Sequence, residues 1–257
     1  MAGKACNILV TGANRGLGLE LVKQLAEASC PGRRIFACCR EPSKAQNLEE
    51  LAKKHPEVIH IIRLDVGDLA SILESAKQVG SILGEDGLNL LVNNAGLAYR
   101  SNMKETVPKE MQDTFNTNIM GPMMMTKEFL PYLQKAAQSS AEAGMSCSKA
   151  AVINISTLLG CIEKVPQTYG FFPVLALPYR ISKAGLNMLT VCNAEEFKEE
   201  GILFTLLHPG WVRTDMGGPD GEIDAPDSVS GMLRVMDTLT EKHSGAFLDY
   251  NGQPLPW

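Results

Sequence analysis

Short apolar runs separated by helical stretches extend along nearly the whole chain, and this alternation constrains the fold more than any other feature. Within each run the apolar residues are continuous, as expected for strands that are covered on both faces. Strands that alternate with helices predict a parallel sheet joined by crossover helices. The runs predicted as strands are 6–11, 34–39, 58–64, 88–92, 150–155, 202–207 and 246–250. The sequence therefore predicts a doubly wound α/β fold with a mostly parallel, seven-stranded sheet and helices on both faces.

Helical spacing of apolar residues predicts the helices that link these strands. In the first helix, Leu19, Val22, Leu25 and Ala26 share one face. The predicted helices are 18–29, 44–54, 69–82, 106–115, 120–143 and 179–200. The 257 residues contain no internal repeat and no convincing linker, so we predict a single domain over 1–257.

Composition narrows the possible function classes. The formal net charge of −5 lacks the basic footprint of a nucleic-acid-binding protein. The seven cysteines include the adjacent Cys38 and Cys39 but no C-x-x-C, which favours free thiols in a reducing compartment. No apolar run approaches a membrane span and the start, 1–7, leaves no room for a signal peptide, so a cytoplasmic location is expected. The four histidines lack metal-ligand spacing, so no metal site is expected.

A glycine-rich turn joins the first predicted strand to the first predicted helix, with the sequence Thr11-Gly12-Ala13-Asn14-Arg15-Gly16-Leu17-Gly18. Its three glycines permit a tight turn and let the backbone approach a pyrophosphate, which the helix N-terminus would attract. An ordinary strand–helix turn is the alternative, because a lone glycine cluster has limited specificity. The position of the turn after the first strand favours a site for a dinucleotide.

Two arginines predict which dinucleotide is bound. Arg40 stands near the end of the second strand, where dinucleotide folds often place an acid to hold the ribose 2′-hydroxyl. A guanidinium there suits a 2′-phosphate, and Arg15 in the glycine turn is a second candidate cation. Alternatively, both arginines are solvated, or Glu41 pairs with one of them. The two cations favour NADP(H) as the cofactor over NAD.

Tyr179 and Lys183 are four residues apart in a predicted helix, so they share a face one turn apart. An ammonium stabilises a nearby phenolate, so we expect Lys183 to lower the pKa of Tyr179. Such a tyrosine is a plausible acid for a carbonyl being reduced, or a base for an alcohol being oxidised. For this pair taken alone, an exposed tyrosine beside a solvated lysine is the alternative.

Further candidates stand near the carboxyl ends of the strands, where ligands bind in such sheets. Ser156 closes the fifth strand and can hydrogen-bond a substrate oxygen, or it simply ends the strand. Asp65 ends the third strand and can accept from an adenine amino group, or it caps the helix that starts near Asp68. Asn118 lies in a helical stretch, where a buried amide would hold a water or a backbone carbonyl. An ordinary surface position is the alternative for Asn118.

Two turn-like segments complete the candidate site. Asn93-Asn94-Ala95-Gly96 follows the fourth strand, and 209–215 follows the sixth. Small residues in the first segment leave space for a ligand, while its amides can fix the local backbone. The second segment can frame a nicotinamide, with Thr214 near a phosphate. Both are also ordinary turn sequences.

As an ordered set, these motifs resemble those of the short-chain dehydrogenases/reductases, which have a Rossmann-type fold. The set comprises T-G-x-x-x-G-x-G, an acid after the third strand, N-N-A-G, a helical asparagine, a serine after the fifth strand, Y-x-x-x-K and P-G. The resemblance covers almost the whole chain. Within the family, 11–18, Cys39-Arg40 and 179–183 look most like the sniffer and C-factor-like carbonyl reductases.

The resemblance implies a catalytic tetrad of Asn118, Ser156, Tyr179 and Lys183. Tyr179 would protonate the carbonyl oxygen as hydride arrives, while Lys183 would hold the nicotinamide ribose and depress the tyrosine pKa. Ser156 would orient the substrate carbonyl, and Asn118 would anchor the water that continues the proton relay. The implied cofactor-binding residues are Gly12, Asn14, Arg15, Gly16, Leu17, Gly18, Arg40, Asp65, Val66, Asn93, Ala95, Gly96, Tyr179, Lys183, Pro209, Gly210, Val212 and Thr214.

The segment before the Y-x-x-x-K motif is longer than in most of the family. Its extra piece, 163–178, includes Tyr169, Phe171 and Phe172, and we expect it to cover the substrate pocket with aromatic surface. Bulkier inserts at this place in carbonyl reductases of the family interfere with the usual helix-to-helix assembly, so a homodimer stays open. The segment 217–225, rich in glycine and acid, is predicted to be a shortened, mobile substrate lid.

The expected function is NADPH-dependent reduction of aldehyde or ketone carbonyls, with Tyr179 as the proton donor and a small-molecule carbonyl as the partner. Two alternatives stay open. One is an NAD(P)-dependent alcohol or steroid dehydrogenase that runs towards oxidation. The other is an NADP(H)-binding regulatory protein with little turnover. Neither charge nor pattern supports a nucleic-acid or membrane partner.

Overall fold

The computed structural model of the chain describes residues 6–28, 30–170 and 175–257. The described residues contain one sheet in the spatial order β3-β2-β1-β4-β5-β6-β7, and each neighbouring pair is parallel. The strands are β1 Asn7–Thr11, β2 Arg34–Cys39, β3 Ile59–Arg63, β4 Leu90–Asn93, β5 Ala151–Ile155, β6 Leu203–His208 and β7 Phe247–Asp249. The predicted doubly wound, seven-stranded sheet is therefore confirmed.

Helices cover both faces of the sheet. They are α1 Gly16–Glu27, α2 Gln46–Lys54, α3 Leu69–Leu83, α4 Pro108–Phe115, α5 Gly121–Ser139, α6 Val165–Thr168, α7 Leu177–Glu196 and α8 Ala225–Met236. A π-helical turn, Asn116–Met120, joins α4 to α5. On β1, Ile8 and Val10 pack under α1, α2 and α8, while Leu9 packs on the opposite face with α3 and α5. This division follows from the alternation of side chains along a strand.

The sequence analysis missed α8, which packs beside α1 on the sheet. The helix was nevertheless marked in the sequence by a proline in its first turn, at position 226, and by apolar residues at helical spacing. Val229, Met232 and Met236 are buried along this face. The predicted helix 120–143 is shorter in the structure, because α5 ends at Ser139.

The strand order reverses between β1 and β4, which lie side by side at the centre of the sheet. Open α/β sheets bind ligands in the crevice at such a reversal, beyond the carboxyl ends of the strands. The candidate motifs after β1, β4, β5 and β6 therefore meet at one edge. Among the described residues, no helix is both long enough and apolar enough to span a membrane.

Candidate active site

A cavity of about 700 Å³ lies at the carboxyl ends of the strands. The predicted site residues that line it are Gly12, Asn14, Arg15, Gly16, Leu17, Gly18, Arg40, Asp65, Val66, Ala95, Gly96, Ser156, Tyr179, Lys183, Pro209, Gly210, Val212 and Thr214. In the part of the chain that the structure describes, this lining includes neither Asn93 nor Asn118. The fold thus brings almost all of the predicted residues to one cavity.

The glycine-rich turn is braced by the segment after β4. Gly12 has a φ of +66°, in the left-handed region, and a Cβ atom at Gly18 would overlap the Gly12 carbonyl oxygen. The Asn94 Nδ2 atom donates to the Thr11 carbonyl at 2.9 Å. Thr11 Oγ1 in turn accepts from the Asn94 and Ala95 amides, each at 3.0 Å. Thr11 and Asn94 therefore support the turn, and Asn94 fixes local backbone as expected of the amides in this segment, although neither residue was among the predicted site residues.

The two candidate cations have different surroundings. Arg15 Nη1 lies 2.6 Å from Asp215 Oδ2, and both side chains are largely exposed. Arg40 lines the cavity and forms no ion pair with any described residue. Glu41, the alternative partner, pairs with Lys44 at 3.0 Å. Arg40 is thus available for an anionic ligand group, whereas Arg15 already has a carboxylate partner.

Asp65 belongs to the turn between β3 and α3. Its Oδ1 atom accepts from the Gly67 amide at 2.9 Å, and its own amide donates to Ser71 Oγ at 2.9 Å. The cap of α3 is Asp68, whose Oδ1 atom accepts from the Ala70 amide at 2.9 Å. The capping role considered for Asp65 therefore belongs to Asp68, and Asp65 remains in the cavity lining.

Tyr179 and Lys183 lie one turn apart on α7. The Lys183 Nζ atom is 5.7 Å from the centre of the Tyr179 ring and donates to the Ile155 carbonyl at 2.6 Å. Burial raises the pKa of Tyr179 to about 12 and lowers the pKa of Lys183 to about 8. The pKa of Tyr179 is therefore raised overall, opposite to the expected direction, because desolvation dominates both groups. Tyr179 keeps its proton at neutral pH, as a proton donor must.

Ser156 follows β5, and its hydroxyl is bound to a residue of α7 that the sequence analysis did not assign. Ser156 Oγ donates to Asn187 Oδ1 at 2.6 Å. The two residues are only 2% and 4% exposed. The Ser156 amide also donates to the Leu207 carbonyl at 2.8 Å, which fixes the backbone at this strand end. Ser156 therefore lies at the cavity with its hydroxyl hydrogen directed towards α7.

Asn118 is fully buried in the π-helical turn and connects two segments of the site. Its Oδ1 atom accepts from the Leu97 amide and its Nδ2 atom donates to the Leu97 carbonyl, both at 2.8 Å. Nδ2 also donates to Ser182 Oγ on α7 at 2.9 Å. The side chain thus holds backbone groups, which was one of its two proposed uses, and it ties the segment after β4 to α7.

Asn93 points away from the cavity into a buried polar chain. Its Nδ2 atom donates to Asn154 Oδ1 on β5 at 2.8 Å, and Asn154 Nδ2 donates to Thr190 Oγ1 on α7 at 2.8 Å. The Asn93 side chain therefore links β4 to β5, and in the same motif the neighbouring Asn94 and Ala95 reach the cavity. Sequence spacing could not distinguish between the two adjacent asparagines.

The segment after β6 packs over the glycine-rich turn. A Cβ atom at Gly16 would lie 3.6 Å from Thr214 Cγ2. Trp211 Nε1 donates to the Gly217 carbonyl at 2.8 Å, and the Gly217 amide donates to Thr214 Oγ1 at 3.1 Å. The predicted lid, 217–225, is thus bonded back to the loop that precedes it. Its residues 217–220 line the cavity, and its last residue begins α8.

His208 is a further cavity residue that the sequence analysis did not assign to the site. It ends β6 and lines the cavity. Burial lowers its pKa to about 4, so the imidazole is uncharged at neutral pH. Its Nδ1 atom is buried without a hydrogen-bond partner among the described residues.

The inserted segment 163–178 is held by Arg180, the residue after Tyr179. The Arg180 guanidinium donates to Thr168 Oγ1, the Thr168 carbonyl and the Leu175 carbonyl, each at 2.9 Å. Its Cζ atom also lies 5.4 Å from the centre of the Tyr169 ring. Within the described part of the insert only Ala176 lines the cavity, so the expected aromatic cover by Tyr169 is not seen. The other two aromatic residues, Phe171 and Phe172, lie outside the described residues.

Known protein sequences are similar to this chain over most of its length. A family model described as short chain dehydrogenase matches residues 6–223. The C-signal protein of Myxococcus xanthus is 39% identical over 171 residues, which cover 66% of this chain and 93% of that protein. An uncharacterized oxidoreductase of Schizosaccharomyces pombe is 31% identical over 266 residues, which cover 96% of each protein.

Solved structures match over the complete fold. An NADPH-bound carbonyl reductase from chicken fatty liver superposes with a TM-score of 0.93 and 46% identity, covering 99% of this chain and all (100%) of the other. The carbonyl reductase Sniffer of D. melanogaster superposes with a TM-score of 0.90 and 37% identity, covering 98% and 100%.

Proposed function

Because this chain belongs to the short-chain dehydrogenase family, we propose that it is an NADPH-dependent carbonyl reductase acting on small aldehydes or ketones. In the proposed reaction the carbonyl carbon gains a hydride and the carbonyl oxygen gains the Tyr179 proton. The products are an alcohol and a Tyr179 phenolate, which regains its proton from solvent. The observation that carries the proposal is that Ser156, Tyr179 and Lys183 line one cavity together with the glycine-rich turn.

The cavity fits a dinucleotide with a 2′-phosphate. The left-handed φ of Gly12 and the lack of room for a Cβ at Gly18 leave backbone, not side chains, facing a bound pyrophosphate. Arg40 is a cation without an acidic partner among the described residues, which suits the 2′-phosphate. When bound, NADPH supplies the hydride. The NADPH-bound state of the chicken carbonyl reductase supports the same cofactor here.

Tyr179 acts as the acid in this proposal because its pKa, raised by burial to about 12, keeps it protonated at neutral pH. The same burial lowers the pKa of Lys183 to about 8, so at pH 7 the amine is still mostly charged. A charged Lys183 stabilises the phenolate that forms when Tyr179 gives up its proton. Ser156 orients the substrate oxygen beside Tyr179, and Asn118 holds the Leu97 backbone against α7.

The proposal also covers the domain organisation, the cellular location and the oligomeric state of the enzyme. We propose a single domain over 1–257 and a cytoplasmic location, the latter on the grounds of cysteine usage. A homodimer would cover apolar side chains that are exposed on α7, namely Ile181 and Met188. Sedimentation of the purified protein decides between monomer and homodimer.

The deciding experiment follows the loss of NADPH absorbance with a panel of quinones, aldehydes and diketones. Tyr179→Phe should abolish turnover while NADPH still binds, as measured by fluorescence titration. Tyr132→Phe is the matched control, because the Tyr132 hydroxyl donates to the Ala76 carbonyl on α3, away from the cavity. Tight NADPH binding without turnover of any carbonyl would instead support the regulatory alternative. Failure to bind either nicotinamide cofactor would overturn the proposal.

A further inference from the structure

We propose that Arg100 is a specificity-determining residue that binds an anionic group of the carbonyl substrate. The inference rests on the proposed function and narrows its substrate class to apolar aldehydes or ketones that carry a carboxylate away from the carbonyl. Its basis is that Arg100 lines the cavity and forms no ion pair with any described residue.

The segment after β4 leads from the proposed catalytic residues to Arg100. A Cβ atom at Gly96 would lie 3.9 Å from Lys183 Nζ, and both backbone groups of Leu97 are bonded to Asn118. Arg100 follows Gly96 by four positions, and an extended chain covers at most about 3.5 Å per residue, so their Cα atoms are no more than about 14 Å apart. A substrate that places its carbonyl at the catalytic residues can therefore reach Arg100 with a group several bonds away.

Hydrogen bonds fix both neighbours of Arg100. The Tyr99 hydroxyl donates to Asp113 Oδ2 on α4 at 2.8 Å, and the Ser101 carbonyl accepts from the Leu177 amide at the start of α7 at 2.9 Å. The backbone at Arg100 is thus held by two helices, while the residue itself is exposed. Because the backbone is already ordered, binding a ligand here costs little more than the side-chain freedom of one arginine.

The guanidinium of Arg100 retains donors for a ligand. Its Nη2 atom donates to the Met216 carbonyl at 3.3 Å, which is a long hydrogen bond. A guanidinium has five N–H donors in a planar fork that matches a carboxylate. Asp220, an acid of the predicted lid that also lines the cavity, is not paired with Arg100. The fork is therefore available for a carboxylate.

The other arginines and lysines of the lining already have partners or tasks. Arg15 pairs with Asp215, and Lys183 is buried and donates to a backbone carbonyl of β5. Arg40 is assigned to the 2′-phosphate of the cofactor in the proposed function. Among the described lining residues, Arg100 is thus the arginine that remains for a charged group of the substrate.

Apolar side chains make up much of the nearby lining. Leu158 and Leu159 follow the end of β5, and Met216 and Pro219 stand at the start of the predicted lid. Ligand sites commonly combine such an apolar wall with a few polar groups that fix the orientation of the ligand. This combination favours a substrate with an apolar body and one anionic end.

The test compares an acid with its neutral ester, 9-oxononanoate with methyl 9-oxononanoate, as substrates in the NADPH absorbance assay. The two aldehydes share the same apolar chain and differ only at the end away from the carbonyl. We expect Arg100→Met to lower kcat/KM by about 10-fold for the acid and by less than about 2-fold for the ester, because only the acid loses a charge-assisted hydrogen bond. Arg100→Lys keeps the charge without the planar fork and should cost the acid about 3-fold.

Lys104→Met is the matched control, because Lys104 is an exposed cation nearby that does not belong to the described cavity lining. It should leave kcat/KM unchanged for both substrates. Added salt should lower the acid-to-ester ratio of kcat/KM in the native protein and not in Arg100→Met. Equal losses for acid and ester in Arg100→Met would overturn the inference. A loss of NADPH affinity in that variant would also overturn it, because Arg100 would then bind the cofactor.

A binding measurement separates this inference from the proposed function. 9-Hydroxynonanoate keeps the carboxylate but has no carbonyl to reduce, so calorimetry can measure its affinity for the NADPH-loaded protein. Weaker binding to Arg100→Met than to the native protein and Lys104→Met would support the anion site even if the native protein reduces no carbonyl, in which case only the proposed function fails. If the native protein reduces carbonyls but binds 9-hydroxynonanoate no better than Arg100→Met does, the inference alone fails.

Discussion

The two sides of the cavity are built differently. The cofactor side, defined as 11–18, Arg40, 65–66 and 94–96, stands on strand ends and is held by bonds to the backbone, such as that from Asn94 Nδ2 to the Thr11 carbonyl. The substrate side, defined as 163–170, 175–178 and 217–225, stands on longer connections that a few side chains hold in place. The shape of the cofactor side depends on glycines at positions where a Cβ atom would overlap the backbone. The shape of the substrate side depends on a few individual side-chain hydrogen bonds. Substitutions should therefore affect cofactor binding and substrate binding separately.

The largest difference in NADPH affinity is expected between substitutions at two glycines, one on each side of the cavity. Gly18→Ala should weaken NADPH binding by more than about 100-fold, because the new Cβ would overlap the Gly12 carbonyl and force the backbone of the turn apart. At Gly170, on the substrate side, a Cβ would have no atom of the described residues within 4 Å apart from its chain neighbours, so Gly170→Ala should leave NADPH binding unchanged. Calorimetric titration with NADPH measures both. Similar losses in the two variants would mean that the two sides are not independent.

Lys183 lies between the two sides, and its burial should be visible in the pH dependence of stability. Its pKa falls from 10.5 to about 8, so the folded chain holds fewer protons than the unfolded chain between these values. The free energy of unfolding therefore gains a contribution that rises with pH through this window, by about 2 kcal/mol between pH 8 and 9.5. Buried thiols such as Cys147 and Cys161 have raised pKa values and lower the stability in the same window, so the native protein alone does not isolate the lysine contribution. Urea unfolding from pH 7 to 9.5 should therefore show it as a difference in free energy of unfolding between the native protein and Lys183→Met that grows with pH. Tyr179 does not interfere, since its raised pKa affects stability only above about pH 10.

The cofactor side should distinguish its two arginines. Arg40→Ala should weaken NADPH binding by about 10-fold and leave NADH binding unchanged, because a charge-assisted pair with the 2′-phosphate is lost. Arg15→Ala should have a smaller effect, since Arg15 already pairs with Asp215. Titrations with both cofactors provide the measurement. A larger loss from Arg15→Ala than from Arg40→Ala would reverse the assignment of the phosphate partner.

The smallest expected effect concerns the clamp on the substrate side. Arg180→Lys keeps the charge but cannot donate to both Thr168 and Leu175 in the same forked geometry. We expect KM for the carbonyl to rise by about 3-fold, because Ala176 of the insert lines the cavity, with NADPH affinity unchanged. Arg234→Lys, on the exposed face of α8, is the control. A change in NADPH affinity would show that the clamp acts on both sides.

The same difference between the two sides explains what sequence reasoning could and could not predict. The strands and the glycine-rich turn are encoded locally, in continuous apolar runs and in glycines at fixed spacing. The hydrogen-bond partners of Asn118 and Ser156 are not encoded locally, because they lie 21 and 31 residues away along the chain. Both adjacent asparagines, Asn93 and Asn94, carried the same local signal, and only the sheet decides which reaches the cavity.

The direction of the pKa shift of Tyr179 was the second property that sequence reasoning did not predict. The four-residue spacing of Tyr179 and Lys183 predicted correctly that they lie one turn apart on a helix, but it suggested a lowered tyrosine pKa. The structure gives the opposite direction, since burial is a property of the packed molecule and outweighs the neighbouring amine. Helix α8, in contrast, could have been predicted, because its apolar spacing and its first-turn proline are visible in the sequence.

The contact between β1 and β4 has a consequence for how the chain reaches its native state. The bond from Asn94 to Thr11 joins residues 83 positions apart, so the cofactor turn is complete only after a long loop has closed. No short fragment can offer this binding surface, and a ligand that needs it distinguishes the finished fold from earlier states. Under the proposed function, NADPH at 100 times its dissociation constant would stabilise the folded chain by about 2.7 kcal/mol. The cellular concentration of NADPH would then affect the fraction of this protein that stays folded, as well as the rate of the reaction.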